Sequence, residues 1–204
     1  ELLEPFADTL LPDALDAYAL PASDGSPRNR ANMRRAGALL DEAGWTVTDG
    51  VRRNAAGDPF TFEILLGTGS AESANITYEA LANVYLDALR QLGIDARIVQ
   101  ADAAQYNERR SEYDYDMTPA SWNLSLSPGN EQRLYWGGDG VATPGTRNYM
   151  GLDSPAAEAM IDRMLETRDQ DEFVAATRAL DRVLTTGRYV VPIWYSDVSL
   201  LAHK

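Results

Sequence analysis

The chain has 204 residues, a length that favours one domain or little more than one. It contains no cysteine, which excludes a catalytic thiolate, an iron–sulfur cluster and a cysteine-ligated zinc site. The formal net charge of −13 disfavours nucleic acids and anionic membrane surfaces as partners, because these carry charge of the same sign.

The first 28 residues show neither a helical nor a strand period and contain several prolines, so we interpret them as an irregular lead-in. The first predicted helix runs from about Asn29 to Ala43. Gly44 follows directly, at the position where a helix commonly ends. The expected buried face of this helix carries Met33, Ala36, Leu40 and Ala43.

A strand–helix–strand unit follows. Alternating apolar residues predict a strand over Phe60–Leu66 and another over Ile94–Ile98. A long helix is expected between them, from about Glu72 to Leu92, and this length favours a parallel crossover. The expected buried face of the helix carries Leu81, Val84, Ala88 and Leu92.

A shorter helix at Ala103–Ser111 and a strand at Tyr115–Ala120 precede the least regular part of the chain. The segment Pro119–Gly151 holds 6 of the 15 glycines and 3 of the 10 prolines, and no period runs through it. Long irregular loops in compact domains are usually functional or disordered. Two tryptophans and two tyrosines argue against disorder, so we expect function to reside here.

Two further helices are predicted near the C-terminus. Ser154 and Pro155 are typical of a helix start, and Asp169 and Asp171 can begin the second helix, which ends at Gly187. A strand is expected over Tyr189–Tyr195, confined by its proline to a sheet edge. The expected apolar stripes are Ala157, Met160, Ile161 and Met164 in the first helix, and Phe173, Ala176, Leu180 and Val183 in the second.

Catalytic and metal motifs are weak. His203 is the sole histidine and the second-to-last residue of the sequence, which disfavours a serine–histidine relay or a histidine metal site. The glycine-rich turn Gly67–Ser70 lacks the lysine of a Walker loop, and a plain strand-to-helix turn is the better interpretation. Asp114 and Asp116 would share one face of the predicted strand, but two such acids are more often solvated or paired with arginine than catalytic.

Aromatic and amide side chains are concentrated in the irregular segment. Its rings are Trp122, Tyr135, Trp136 and Tyr149, and they lie among asparagines, Glu131 and two arginines. Such a mixture suits a polar organic ligand with an apolar part, for example a peptide or a sugar. The alternative is that some of these rings cover the underside of the loop.

Several motifs together resemble one family. The relevant runs are A-x-x-L-L-D-E-A-G-W from Ala36, L-x-x-L-G-I-D-A from Leu89, Y-D-Y-D-M from Tyr113 and V-V-P-I-W-Y from Val190. They resemble the C-terminal lobe of the family 5 extracellular solute-binding proteins of ABC importers. The form P-G-N-E-Q-R-L-Y-W, followed by P-G-T-R-N-Y-M-G, is most similar to the branch that takes up oligopeptides and microcin C-type peptides.

The resemblance implies an α/β fold, a periplasmic binding protein type II-like lobe with a mixed, mostly parallel sheet flanked by helices. It implies that residues 1–28 lead in from an N-terminal lobe outside this chain, that residues 29–195 form the solute-binding lobe, and that residues 196–204 begin the crossing back. The implied partners are a peptide or other small polar ligand, the other lobe and the permease subunits, in the periplasm. No cofactor, metal or catalysis is expected.

The resemblance also suggests roles for individual residues. Trp122 would form a stacking wall, and Asn123 and Ser125 would bond the peptide backbone. Glu131 would neutralise a ligand amine and Arg133 a carboxylate, while Asn148 and Tyr149 would close the pocket edge. In oligopeptide receptors an aspartate three residues after the tryptophan pairs with the peptide amino terminus; Ser125 stands there instead, and Glu131 is the candidate replacement.

Two other function classes remain open at this point. One is a glycosidase-like hydrolase that uses Asp116 and Glu131 as a carboxylate pair, which would require 5–10 Å between the two groups. The other is a sensor domain that binds a ligand without transporting it.

Overall fold

The structure is a computed structural model, and its residues fall into two compact units. Unit 1 comprises Glu1–Tyr18 and Ser125–Lys204, and unit 2 comprises Ala19–Leu124. The division into a lead-in, a lobe and a return crossing stays a prediction. The structure describes residues 1–16, 20–26, 29–68, 71–73, 76–122, 127–143 and 145–193.

Unit 2 is built on a parallel pair of strands joined by a helix. Strands β3 and β6 pair in parallel from Thr61 opposite Asp95 to Gly67 opposite Ala101, which confirms the predicted strand–helix–strand crossover. Two short antiparallel pairs, β1 with β2 and β4 with β5, stand beside it. The elements are α1 (Arg30–Glu42), β1 (Thr46–Thr48), β2 (Val51–Arg53), β3 (Thr61–Gly67), β4 (Ala71–Ser73), β5 (Ile76–Thr77), α2 (Tyr78–Gln91), β6 (Asp95–Ala101) and α3 (Ala103–Ser111).

The start of α2 differs from the prediction. The helix begins at Tyr78 and not near Glu72, because β4 and β5 occupy the preceding residues. Thr77 caps it, with its side chain accepting a hydrogen bond from the Ala80 N–H at 3.2 Å. Two residues of the glycine-rich turn, Gly69 and Ser70, lie outside the described residues.

The predicted buried face of α2 is partly wrong, although Leu92 does pack against the core of unit 2. Val84 is 72% exposed, while the core of unit 2 takes Ala82, Leu86 and Leu89 from this helix. Both stripes are apolar with helical spacing, so periodicity does not separate them. The core is completed by side chains from the two parallel strands and the loop before β6, namely Ile64, Leu66, Ile94 and Ala96.

The strand predicted over Tyr115–Ala120 reduces to one bridge beside β3. Met117 exchanges hydrogen bonds with the Leu65 N–H at 2.8 Å and the Glu63 carbonyl at 3.1 Å. The Asp116 carboxylate accepts the Glu63 N–H at 2.9 Å, so a side chain replaces the next backbone rung of the ladder. The chain continues from this bridge to Trp122.

Unit 1 is helical in its described part. Helix α4 spans Glu131–Trp136, α5 spans Pro155–Glu166 and α6 spans Gln170–Gly187, with 3₁₀ turns at Glu4–Thr9, Pro12–Ala14 and Gly138–Gly140. The predicted caps of the two long helices are confirmed. Ser154 Oγ accepts from Ala157 N–H at 3.3 Å, and Asp169 Oδ1 accepts from Glu172 N–H at 2.9 Å.

The core of unit 1 lies between α5 and α6 and includes the start of the chain. All four predicted stripe residues of α5 are buried, and so are three of the four in α6, with Phe173 half-buried. Leu3 packs into this core at 6% exposure. Two 3₁₀ turns, each with proline in its first turn, lie among the first 14 residues, while residues 20–26 contain no helix or strand.

The C-terminal strand prediction is wrong over the residues that can be tested. Residues 189–193 form no strand, and Tyr189, Val190, Val191 and Ile193 are 41–57% exposed. The described part of unit 1 contains no strand that could pair with them. Trp194 and Tyr195 lie outside the described residues.

Within the described part of the chain, no helix combines the length and apolar character needed to cross a membrane.

Candidate functional site

The segment predicted to be irregular contains short helical structure in its described part. Helix α4 and the 3₁₀ turn that follows it occupy nine of the ten positions 131–140, and Gly137 separates them. The absence of a period in the sequence reflects their brevity, since a six-residue helix makes fewer than two turns. The segment is therefore a folded structure of unit 1 from residue 127 onward, with residue 144 outside the described residues.

Asn148 organises the loop that follows α4. We refer to Gly137–Leu152 as the Asn148 loop. The Asn148 side chain is fully buried, and its Nδ2 donates to the Gly137 carbonyl at 2.9 Å and to the Leu152 carbonyl at 2.7 Å. Its Oδ1 accepts the Leu152 N–H at 2.9 Å. One amide therefore joins the two ends of the loop.

Further contacts hold the interior of the Asn148 loop. Thr146 Oγ1 donates to the Gly140 carbonyl at 3.0 Å, and the Gly138 N–H donates to the Glu158 carboxylate on α5. A Cβ at Gly140 would lie 3.0 Å from Thr146 Oγ1 and 3.1 Å from Asn148 Cβ, so a larger residue here would require these neighbours to shift. Sequence reasoning missed Glu158, because a carboxylate in the first turn of a helix has an ordinary explanation in the helix dipole.

The three rings of the segment that belong to unit 1 divide into two kinds. Tyr135 is 5% exposed, and Trp136 packs against the core of unit 1. These two rings are therefore buried or packed in unit 1. Tyr149 is half-buried and follows the fully buried Asn148, so its placement depends on the Asn148 loop.

Glu131 begins α4 and its carboxylate is already held in place. It accepts the Gly129 N–H at 2.8 Å and the Gln132 Nε2 at 3.3 Å. The Gly129 N–H is the largest cause that lowers the pKa of Glu131 below its ordinary value, because it stabilises the charged form. An ionised carboxylate offers about four lone-pair sites, so acceptor capacity for a ligand amine remains.

This pKa direction can be measured. In a carbon-detected NMR titration, Glu131 should titrate with a lower midpoint than an ordinary glutamate. The Gly129–Glu131 bond then contributes stability above the unfolded-state pKa, and this contribution is lost as the pH falls through the lower folded-state value. A midpoint at or above the ordinary value would contradict the hydrogen bond, and Glu131→Gln should remove the signal together with its pH dependence.

Arg133 lies on α4 and forms an ion pair with Asp162 on α5. The two side chains are 49% and 48% exposed, so water screens the pair. Exposed pairs of this kind contribute about 0–1 kcal/mol to stability, so replacing Asp162 by another carboxylate would cost little free energy.

The remaining predicted contacts belong to unit 2 or to undescribed positions. Trp122 lies in unit 2 and is half-buried. Asn123 and Ser125 lie outside the described residues, so their predicted roles stay predictions. Asp114 pairs with Arg109 Nε at 2.8 Å, as expected for a surface acid. Among the described residues, no group of three or more acids or histidines is arranged to hold a metal ion.

Comparison with known proteins gives the same family that the motifs suggested. Residues 6–143 match the family described as bacterial extracellular solute-binding proteins, family 5 Middle. A putative binding protein of Brucella melitensis is 38% identical over 196 residues, which cover 96% of this chain and 31% of that protein. A probable peptide-binding protein, YejA, of Agrobacterium fabrum is 33% identical over 205 residues, covering 100% of this chain and 32% of the relative.

Solved structures confirm the fold class. The oligopeptide-binding protein AppA of Bacillus subtilis, solved with a nonapeptide, matches 83% of this chain and 32% of its own with a TM-score of 0.65 and 20% identity. The chain therefore has the mixed α/β fold of a periplasmic binding protein lobe.

The chain spans about 30% of the length of the curated relatives it matches. The family consists of binding proteins and not of enzymes, which confirms the expectation of no catalysis and removes the hydrolase alternative. The family match extends over more than half of the chain, and the chain belongs to the bacterial extracellular solute-binding proteins, family 5.

Proposed function

We propose that this chain is part of the periplasmic substrate-binding component of an ABC importer, and that the protein binds peptides and delivers them to a membrane permease. The observation that carries the proposal is the 33% identity, along the whole chain, to a probable peptide-binding protein. The relative with a bound nonapeptide in its structure supports the same ligand class.

The chemistry of the segment in unit 1 suits a peptide. Arg133 offers a guanidinium whose exposed partner, Asp162, is weakly held, so a ligand carboxylate can replace it. Glu131 offers a carboxylate held in the charged form by Gly129. Together these groups supply the opposite charges that the two ends of a peptide require.

Tyr149 is the apolar contact that we propose for this segment. Tyrosine combines a large rigid surface with a hydroxyl group, and such rings dominate many binding interfaces. The Asn148 loop fixes its backbone before the ligand arrives, which lowers the entropic cost of binding. We therefore assign Asn148 to the shape of the pocket edge, through the loop, and Tyr149 to contact with the peptide. Trp122 would add a stacking surface, and Asn123 and Ser125 would add hydrogen bonds to the peptide backbone.

The proposal predicts the behaviour of a tyrosine pair in calorimetric titration. In the full-length protein, Tyr149→Ala should weaken binding of a defined peptide by about tenfold, the loss of one aromatic contact. Tyr189→Ala is the matched control, because this ring lies beyond α6 and outside the segment. Tri-, penta- and nonapeptides should each be titrated, since the ligand length is open.

The outcomes separate the function from the site. Absence of heat with every peptide, together with heat from oligosaccharides, would reject the peptide function. If Tyr149→Ala and Tyr189→Ala reduce peptide binding equally, the peptide function stands, but the assignment of Tyr149 as a ligand contact is rejected.

A further inference from the structure

The charges of α1 run against its helix dipole. Arg30, Arg34 and Arg35 lie in its N-terminal half, while Asp41 and Glu42 stand at its C-terminal end. The amino end of a helix carries partial positive charge and the carboxyl end partial negative charge, so both groups are in unfavourable positions. Asn29 provides no side-chain cap that would offset this.

Other described helices of this chain follow the favourable order. Helix α2 has Glu79 in its first turn and Arg90 in its last, and α5 has Glu158 in its first turn and Arg163 in its last. A local rule that a protein breaks in one element and obeys in others is a sign of a functional site. The arginines of α1 therefore require an explanation beyond helix stability.

These arginines also differ from others in their partners. No described residue forms an ion pair or hydrogen bond with the side chain of Arg30, Arg34 or Arg35, and all three are exposed. Four other arginines of unit 2 are paired with acids: Arg52 with Asp41, Arg90 with Asp87, and Arg97 and Arg109 with Glu63. In a chain with a net charge of −13, a helix end with three unneutralised cations is a distinct positive surface.

A surface cavity lies at this positive surface. It has a volume of about 500 Å³ and is lined by Arg30, Met33, Arg34 and Gln91. Arg30 and Arg34 are one helical turn apart, which places their Cβ atoms about 6 Å from each other. Met33 adds an apolar, adaptable floor and Gln91 on α2 adds a hydrogen-bonding amide.

We propose that this cavity, with the three arginines of α1, is the docking surface for an acidic segment of a partner protein. Two carboxylates spaced by one helical turn would meet Arg30 and Arg34, and planar guanidinium groups bind carboxylates with two parallel hydrogen bonds. The occupant is a short segment and not a membrane surface. An anionic bilayer would be repelled by the net negative charge of the whole chain. A short acidic segment interacts mainly with the charges within the Debye length of about 8 Å.

The test uses the full-length protein and a defined acidic probe. The probe is a 20-residue peptide of Glu-Ala-Ala-Ala-Glu repeats fused to a folded carrier domain, so that it is too large to enter a peptide-binding cleft. Fluorescence anisotropy should show saturable binding that weakens with salt. Arg30→Glu/Arg34→Glu should reduce the affinity by about tenfold or more, since it replaces two attractions by repulsions.

Arg178→Glu/Arg182→Glu is the matched control. These arginines are exposed, have the same spacing on α6 in unit 1, and change the net charge equally, so binding of the probe should change little. The Arg30/Arg34 variant should melt at or above the wild-type temperature, because acids favour a helix amino end. Arg30→Gln/Arg34→Gln provides a second variant without charge reversal, and it too should weaken binding of the probe.

Three results would overturn the proposal. Equal losses in both charge-reversed variants would show a response to net charge. Unchanged binding in the Arg30/Arg34 variants would place the probe elsewhere. Flotation with phosphatidylglycerol vesicles that depends on Arg30 and Arg34, without binding of the acidic probe, would assign the surface to a membrane.

Discussion

Asn148→Ala should lower the free energy of unfolding by about 3–5 kcal/mol and loosen the Asn148 loop. The substitution leaves the carbonyls of Gly137 and Leu152 and the Leu152 N–H without the partner they have now. Each buried polar group left unsatisfied costs about 1–3 kcal/mol. Chemical denaturation followed by circular dichroism measures the loss, and hydrogen exchange of residues 137–152 locates it.

An asparagine on α2 provides the control. Asn83 is exposed and its side chain donates to the Glu79 carbonyl on the same helix. Asn83→Ala should therefore change stability by no more than about 0.5 kcal/mol. Equal effects of the two substitutions would contradict the role that we assign to Asn148.

A second substitution at this position separates hydrogen bonding from shape. Asn148→Asp keeps the shape of the side chain but loses the Nδ2 donors that bond two carbonyls. Its destabilisation should shrink as the pH falls, because a protonated carboxyl can donate to one of these carbonyls. Asn148→Ala should show no such recovery, and identical pH profiles for the two variants would contradict the argument.

Ligand binding should respond to the same loop. If Tyr149 contacts the peptide, Asn148→Ala should weaken binding by reducing the fraction of molecules in which the loop is formed. The loss should appear mainly as a less favourable binding entropy, since the ligand must then order the loop. Unchanged affinity in a variant with fast hydrogen exchange in residues 137–152 would show that the loop lies outside the site.

Arg52→Met should destabilise unit 2 by about 3 kcal/mol. The Arg52 side chain is 5% exposed, and its Nε donates to the Leu92 carbonyl at 2.9 Å. Its other nitrogens donate to the Trp45 and Gly37 carbonyls and to Asp41. The carbonyls account for most of the expected loss, since Asp41 is 58% exposed and its pairing is screened.

The neighbouring arginine is the control for this prediction. Arg53 donates to the Gly57 carbonyl at 2.8 Å within an exposed turn, so Arg53→Met should cost less than about 1 kcal/mol. Arg52→Lys should recover part of the loss, because an ammonium group cannot reach all the acceptors that a guanidinium reaches. Comparable midpoints for Arg52→Met and Arg53→Met would contradict the account.

The sequence predicts an element well where its capping residues and its apolar pattern indicate the same structure. The Ser154–Pro155 pair and Asp169 predicted both long helices of unit 1, because a cap and a helical apolar stripe point to the same start. In α2 two different apolar stripes have helical spacing, and the predicted one includes Val84, which is exposed to water. That choice depends on the orientation of the helix over β3 and β6, which periodicity does not contain.

The candidate site is harder to predict from the sequence than the helices are. The sequence directs attention to the segment around Asn148, but it does not distinguish a residue that contacts a ligand from one that organises the loop. That distinction rests on contacts across the chain, such as the bond from Asn148 to Gly137 eleven residues away. Likewise, Tyr135 is buried while Tyr149 is half-buried, and composition does not reveal this difference.

The central claim is that the full-length protein carries peptides, and the ligand it retains on purification tests this most directly. The protein should be purified without denaturant, and its bound ligands released by acid and identified by mass spectrometry. We predict short peptides in amounts approaching one per protein molecule, absent from a Trp122→Ala/Tyr149→Ala variant. Recovery of oligosaccharides or a metal chelate without peptides would contradict the claim.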